Sequence, residues 1–254
     1  MFFLSSIEPV YYILPLIGFI VGLLGTMLGG GGGFIFLPAL TLIIGVPAQI
    51  AVITSLVATL PICLVGAISH YKKDNINIRM ALIFSTAGLI GALSGVVIAG
   101  LLSSEHLKTT FGIYSLLMAI NIAFNVLWDN DRMSVFTRLK APFFGFFAGI
   151  VTGALSTSGT APILAGLFSL RLSVKTAIGT SILIVLSNTL FAAGAHFIIG
   201  KIDMTLVLLL TTGSTIGAII GPRLLDGIKG NRSENFKYMY SAVMAILGIL
   251  MILK

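Results

Sequence analysis

The sequence predicts an all-α polytopic membrane protein: an inverted-repeat bundle in which each repeat is a re-entrant helix hairpin followed by three transmembrane helices. Three observations predict it. The chain is made of long apolar runs with few charges, its two halves share short matches in the same order, and most of its Lys and Arg fall on one side. Of 254 residues, 57% are hydrophobic and 9% charged, where a soluble domain carries about 25% charged residues. The runs are continuous rather than alternating, so they read as helices and not as strands of an outer-membrane barrel.

A membrane-spanning helix needs about 20 apolar residues. In chain order, residues 10–45 hold an apolar piece, the glycines Gly29 to Gly33 and the short piece FIFLPALTLIIG. Plain spans follow at 48–70, 79–101 and 108–128. A cytoplasmic linker at 129–140 leads to residues 141–170, which hold an apolar piece, the polar break STSGTAP and the short piece ILAGLFSL. Three more spans are expected at 174–199, 204–222 and 236–253. Each short piece, at 1.5 Å per residue, reaches about 18 Å or less, half a bilayer. Two half-helices with a loop at the tip, a re-entrant hairpin, is therefore the reading for 10–45 and 141–170. The N-terminal MFFLSSIEPVYY has no basic run and carries Glu8, so it is not read as a cleavable signal peptide, and the first apolar segment is expected to stay.

The matches between halves are GFIVG at Gly18–Gly22 with GFFAG at Gly145–Gly149, Thr54-Ser55 with Thr180-Ser181, His70 with His196, and GALSG at Gly91–Gly95 with GAIIG at Gly217–Gly221. The later ones keep one offset of 126. Several matches in order argue for duplication, with repeats at 1–128 and 141–254. Three spans per repeat is odd, so the second copy enters the membrane upside down. The charges agree. With hairpins returning to their own side, one face receives twelve basic residues and the other three, Lys108, Lys201 and Lys254. That asymmetry places both termini on the non-cytoplasmic side of the plasma membrane. Five full crossings per half give the same parity. A net charge of +7 spread over such loops is the membrane pattern and not a nucleic-acid footprint.

Inverted repeats with broken helices are the architecture of secondary transporters, in which the two breaks approach each other near the midplane. Here the breaks are Gly29, Gly30, Gly31, Gly32 and Gly33, with Phe34 opening the next helix, and Ser156, Thr157, Ser158, Gly159 and Thr160. Glycine allows a ligand close to the backbone. A helix start offers unpaired N–H groups and partial positive charge, which makes an anion site without a cationic side chain. In the second half, Ser158 or Thr160 is expected to cap the helix, and Pro162 suits its first turn. The alternative for the glycine run is a tight turn packed on a neighbour. Thr54, Ser55, Thr180 and Ser181 sit early in the helix after each hairpin, where they either add hydroxyls to the tips or bond their own helices.

His70 and His196, at matching helix ends, either gate or relay a proton or are interfacial histidines satisfied by backbone. Asn121, Asn125 and Asn188 are expected to pair between helices, and Gly18, Gly22, Gly91, Gly95, Gly145, Gly149, Gly217 and Gly221 to let helices approach closely. Trp128, Tyr71, Tyr238 and Tyr240 read as belt anchors. No Asp, Glu, Lys or Arg falls inside a span, which argues against a carboxylate-based proton antiporter. Cys63 is the only cysteine. That excludes an intrachain disulfide and a zinc-type cluster, and no metal or cofactor is expected.

The stretch GLLGTMLGGGGGFIFLPAL, with a weaker copy in the second half, resembles the TauE/SafE sulfite exporter family, and the likeness covers essentially the full chain. The resemblance implies a plasma-membrane transporter of small sulfur-containing anions such as sulfite or sulfonates, not an enzyme. Two other function classes are weighed against it. One is a passive anion channel. The other is an intramembrane serine hydrolase, with the Ser156–Gly159 loop as nucleophile and His196 as base.

Overall fold

The computed structural model describes residues 2–28, 30–124, 137–157, 159–199, 202–226 and 232–254. Its helices are α1 (Leu14–Leu28), α2 (Gly33–Pro38), α3 (Ala48–Tyr71), α4 (Ile78–Leu101), α5 (Ser104–Phe124), α6 (Thr137–Leu155), α7 (Thr160–Ser169), α8 (Val174–Ile199), α9 (Met204–Asp226) and α10 (Arg232–Leu253). Among the described residues, five segments are long and apolar enough to cross a membrane: Pro9–Met27, Ala48–Tyr71, Ile78–Leu101, Val174–Ile198 and Met204–Gly221. Four of them coincide with expected spans. The spans expected at 108–128 and 236–253 fall in α5 and α10, whose first turns carry Glu105 and Lys108, and Arg232, Glu234 and Lys237. The expected linker 129–140 is shortened from its far end, because α6 already begins at Thr137; residues 129–136 lie outside the described residues.

The two hairpin regions differ from the expected pair of half-helices. A 3-10 turn, Pro9–Ile13, runs into α1, so the first arm is about 28 Å long. α6, with 19 residues, is equally long. Only the second arms are short. α2 has 6 residues and continues as a π turn over Ala39–Ile43. Pro38, the last residue of α2, has no N–H to donate back to Phe34. The chain relaxes into a wider turn, in which the Ile44 N–H reaches the Ala39 carbonyl.

The long arms do not pack mainly on their own half. α1 lies along α9 and α6 along α4, while α3 packs on α8, α5 on α10, α4 on α8 and α3 on α9. Between lipid-embedded helices there is little hydrophobic drive, so contact depends on close backbone approach over small residues. The glycine pairs supply it. Gly18 and Gly22 lie against the backbone of Leu210 and Ser214, and Gly217 lies against that of Phe19. In the other pair of helices Gly145 and Gly149 lie against Phe84 and Gly88, and Gly91 and Gly95 against Phe146 and Ile150. The opposite faces carry exposed apolar side chains such as Leu82, Ile90 and Val97 on α4 and Leu208, Ile216 and Ile219 on α9, as a lipid-facing surface would.

This predicts opposite outcomes for two glycine-to-alanine changes. Gly149→Ala drives a methyl into the Gly88 carbonyl and destabilises by about 1–3 kcal/mol. Gly194→Ala meets nothing within 4 Å and stabilises by up to about 1 kcal/mol through helix propensity. Thermal unfolding of the two purified variants checks the sign.

The N-terminal segment is tied down as well. Phe2–Phe3 (β1) pairs in parallel with Ile202–Asp203 (β2). The Asp203 carboxylate accepts the N–H groups of Thr205 and Leu206 at the start of α9, and the Thr205 hydroxyl donates to the Ser5 carbonyl.

Candidate functional site

The two chain breaks meet. In the first, α1 ends at Leu28, and the Gly30 and Gly31 N–H groups turn back to the Gly25 carbonyl at 2.9 and 3.2 Å. Gly31 and Gly32 then take φ of 61° and 83°, two successive left-handed residues that side chains disfavour. α2 starts at Gly33, with Gly32 as an N-cap that offers no side-chain bond. In the second break, the Ser156 N–H closes α6 on the Thr152 carbonyl at 3.1 Å, Ser156 adopts φ of 51°, and Gly159 adopts 54°. α7 starts at Thr160.

The expected cap differs here. Gly159, not Ser158 or Thr160, is the N-cap residue, and no side chain caps the helix. Thr160 is already helical, so its hydroxyl is not turned back onto the helix start. Pro162 sits in the first turn as expected, where its missing N–H costs nothing.

Gly33 abuts the Ser156 carbonyl, and a Cβ on Gly30 would lie 2.9 Å from the Thr160 hydroxyl oxygen. Gly31 faces Cys63, Thr59 and Val185, and Gly32 faces Val21. The glycine run therefore packs tightly on the opposite loop and on α1, α3 and α8. Ser156, Thr157 and Thr160 are buried, and the hydroxyls of Ser156 and Thr160 have no hydrogen-bond partner. Beside them a small cleft is lined by Phe34, Thr157, Thr160 and Ala161 from the tips and by Tyr114, Met118 and Ile122 of α5 and Met244 of α10. Its free space is on the order of one water molecule.

Among the sequence-derived site residues, the structure brings together Gly30, Gly31, Gly32, Gly33, Phe34, Ser156, Thr157, Gly159 and Thr160. Gly29 and Ser158 lie outside the described residues. Thr54 and Ser55 are fully buried with unpartnered hydroxyls on α3. They lie about one turn before Thr59, whose hydroxyl donates to the Ser55 carbonyl at 2.8 Å and whose side chain borders Gly33. Thr180 and Ser181 are used locally. The Thr180 hydroxyl accepts the Asn77 N–H at 2.9 Å, at the N-cap of α4, and the Ser181 hydroxyl donates to the Ile178 carbonyl at 2.8 Å.

His70 is buried in the last turn of α3, next to Gly179 of α8. His196 Nε2–H donates to the Gly153 carbonyl at 2.9 Å, joining α8 to α6; this is the backbone-satisfied arrangement. Asn188 departs from the expected interhelical pairing, since neither of its amide atoms has a partner. The Asn121 Oδ1 has none either, and Asn125 lies outside the described residues.

Tyr114, Met118, Ile122 and Met244 were not anticipated at the cleft. A signal for three of these positions exists: Tyr114-Ser115 and Met118-Ala119-Ile120 recur 126 residues later as Tyr240-Ser241 and Met244-Ala245-Ile246. These belong to the packed pair α5 and α10, where Ser241 donates to the Ala119 carbonyl at 2.8 Å.

Two chain breaks thus meet over buried hydroxyls in a helical bundle, and known proteins share this sequence pattern. The family model described as sulfite exporter TauE/SafE matches residues 14–251. The chain belongs to the TauE/SafE sulfite exporter family. It is similar to a probable membrane transporter protein of Methanocaldococcus jannaschii, 28% identical over 95% of each chain. A probable membrane transporter protein of Bacillus subtilis is 26% identical over 83% of this chain and 87% of its own. One of Xylella fastidiosa is 30% identical over 82% of each. No solved structure matches. The TauE/SafE assignment and the five apolar helices of spanning length make this a multi-pass membrane transporter, and the family points to transport rather than to an enzyme.

Proposed function

We propose that this TauE/SafE protein is a secondary transporter of small sulfur-containing anions, of sulfite or organosulfonate type, across the plasma membrane, with the anion held between the two hairpin tips near the midplane. The observation that carries the reading is the meeting of Gly30 and Gly33 with Thr160 and Ser156, where two buried hydroxyls have no partner. The first N–H groups of α7 have no acceptor within their helix, and the dipole of that helix favours negative charge at Thr160. Hydroxyls and backbone donors then replace the water around an oxoanion without a cationic side chain.

The same proposal includes the inverted repeat, 1–128 against 141–254, with re-entrant hairpins and both termini on the non-cytoplasmic face. Supporting it, α1 pairs with α9 as α6 pairs with α4, and α3–α8 and α5–α10 each join corresponding helices. Opposed breaks between inverted halves suit alternating access by rocking of one part against the other. The closed cleft favours this over a standing open pore. Against the hydrolase reading, the His196 Nε2–H is already given to Gly153.

The test is thermal unfolding of the purified protein with sulfite, sulfate, sulfoacetate, taurine and thiosulfate. A ligand bound only by the folded state adds about 2.7 kcal/mol at a hundred times its Kd. At least one sulfur oxoanion raises the melting temperature, and Thr160→Val, which keeps the shape and removes the hydroxyl, weakens that anion by about tenfold or more. A response confined to cations or neutral solutes refutes the site.

A further inference from the structure

We infer that Asn188 is a further polar group of the transport site, and that it selects an oxoanion carrying its own hydrogen-bond donor; this rests on the anion-site reading above. Asn188 lies in the middle of α8, is fully buried, and has neither amide nitrogen nor amide oxygen partnered. An amide intended to join helices would bond a carbonyl or a side chain across the contact. This one is seated on Gly88 of α4, where a Cβ would strike its side chain. The missing side chain at Gly88 makes room for the amide without giving it a partner.

Asn188 does not itself line the cleft, but contacts tie it to the second tip through α6. Gly149 packs on the carbonyl of Gly88, the same residue that seats Asn188, and Gly159, the N-cap of α7, packs on the carbonyl of Ala148. Ala148 and Gly149 are neighbours on α6, so Asn188 and the start of α7 are joined to the same turn of that helix, and α7 packs on α8. One turn earlier on α8, Val185 borders Gly31 of the first tip. Leaving an amide unbonded at this depth is costly, and nothing in the packing of α4 on α8 requires it.

The chemistry of the group sets the ligand class. The hydroxyls of Ser156 and Thr160 and the α7 N–H groups can all donate to an oxoanion. The Asn188 Nδ2 does the same, but Oδ1 only accepts. A ligand that satisfies both amide atoms presents oxygen acceptors and at least one O–H or N–H. Hydrogen sulfite has this pattern. Methanesulfonate has the same charge and nearly the same shape but no donor.

The experiment measures the binding of these two probes to the purified full chain, by calorimetry or thermal shift at mildly acid pH. Wild type is expected to bind hydrogen sulfite on the order of tenfold more tightly than methanesulfonate. Asn188→Leu is expected to bring the ratio close to one while holding or raising the melting temperature of the ligand-free protein, because it removes an unpaired polar group. A wild-type ratio near one overturns the inference without any variant. So does Asn188→Leu that keeps the preference, or that lowers the melting temperature of the ligand-free protein, because the amide then serves packing; in those cases the anion site itself stands. If wild type binds neither probe nor any other anion of the panel, the anion-site reading fails and this inference with it.

Discussion

Gly33→Ala abolishes anion-dependent stabilisation and lowers the intrinsic stability of the protein. The added Cβ runs into the Ser156 carbonyl, which belongs to the opposite loop and is held by the end of α6. Neither partner yields cheaply. Gly33 is the first residue of α2, and Ser156 is fixed by its N–H bond to Thr152. Overpacking costs about 1–3 kcal/mol where side chains can move, and a contact between two backbones belongs at the upper end. For a chain of this size each kcal/mol lowers the melting temperature by about 2–4 °C. Gly45→Ala provides the control. Gly45 has φ of 78° but nothing within 4 Å of its Cβ position, so it carries only the left-handed penalty of about 1–2 kcal/mol. It is expected to leave anion binding intact. Equal loss of binding in the two variants would show that the meeting of the tips is irrelevant to the ligand.

Ser156→Gly separates binding from stability in the other direction. Ser156 is a non-glycine residue at φ of 51° with an unpartnered hydroxyl, so it carries two local costs that a packing role does not explain. Glycine removes the left-handed penalty of about 1–2 kcal/mol and returns about 0.5–1 kcal/mol in unfolded-chain entropy. The ligand-free protein is therefore expected to be as stable as wild type or slightly more so. Anion affinity is expected to fall by about tenfold or more, as for loss of a hydrogen bond to a charged ligand. Ser156→Ala keeps the strain and loses the hydroxyl, so it weakens binding equally and gains only the relief of the unpaired hydroxyl. Calorimetric titration with the anion found in the panel, together with unfolding curves, reads both quantities. Unchanged affinity in both variants would remove Ser156 from the site.

Several features were legible from residues alone. The spans at 48–70, 79–101, 174–199 and 204–222 rest on uninterrupted apolar length, and the helices α3, α4, α8 and α9 follow them within a few residues. The breaks expected at Gly29–Gly33 and Ser156–Thr160 rest on residue types that interrupt helices; α1 ends at Leu28 and α2 starts at Gly33, and α6 ends at Leu155 and α7 starts at Thr160. The glycine pairs were legible as close-approach positions because a missing Cβ has few other uses in a long apolar helix. The long first arms were less legible. Periodicity shows that a segment is helical, but the early start of α6 at Thr137 extends that helix into the polar residues Thr137, Arg138 and Lys140. Met118 and Met244 escaped notice because an apolar lining residue has the same sequence signature as a core residue.

What this sequence determined by itself is its class: a helical membrane protein of the TauE/SafE family, broken at two places. The tertiary structure decided which polar groups are spent and which remain open. Thr180 and Thr54 match in sequence, yet one is bonded to the Asn77 backbone and the other is unpartnered. Asn188 was expected to be paired and is not. The reason is physical: apolar length and helix-breaking residues act locally, whereas a buried hydroxyl or amide is satisfied or left open by backbone that lies a hundred residues away along the chain.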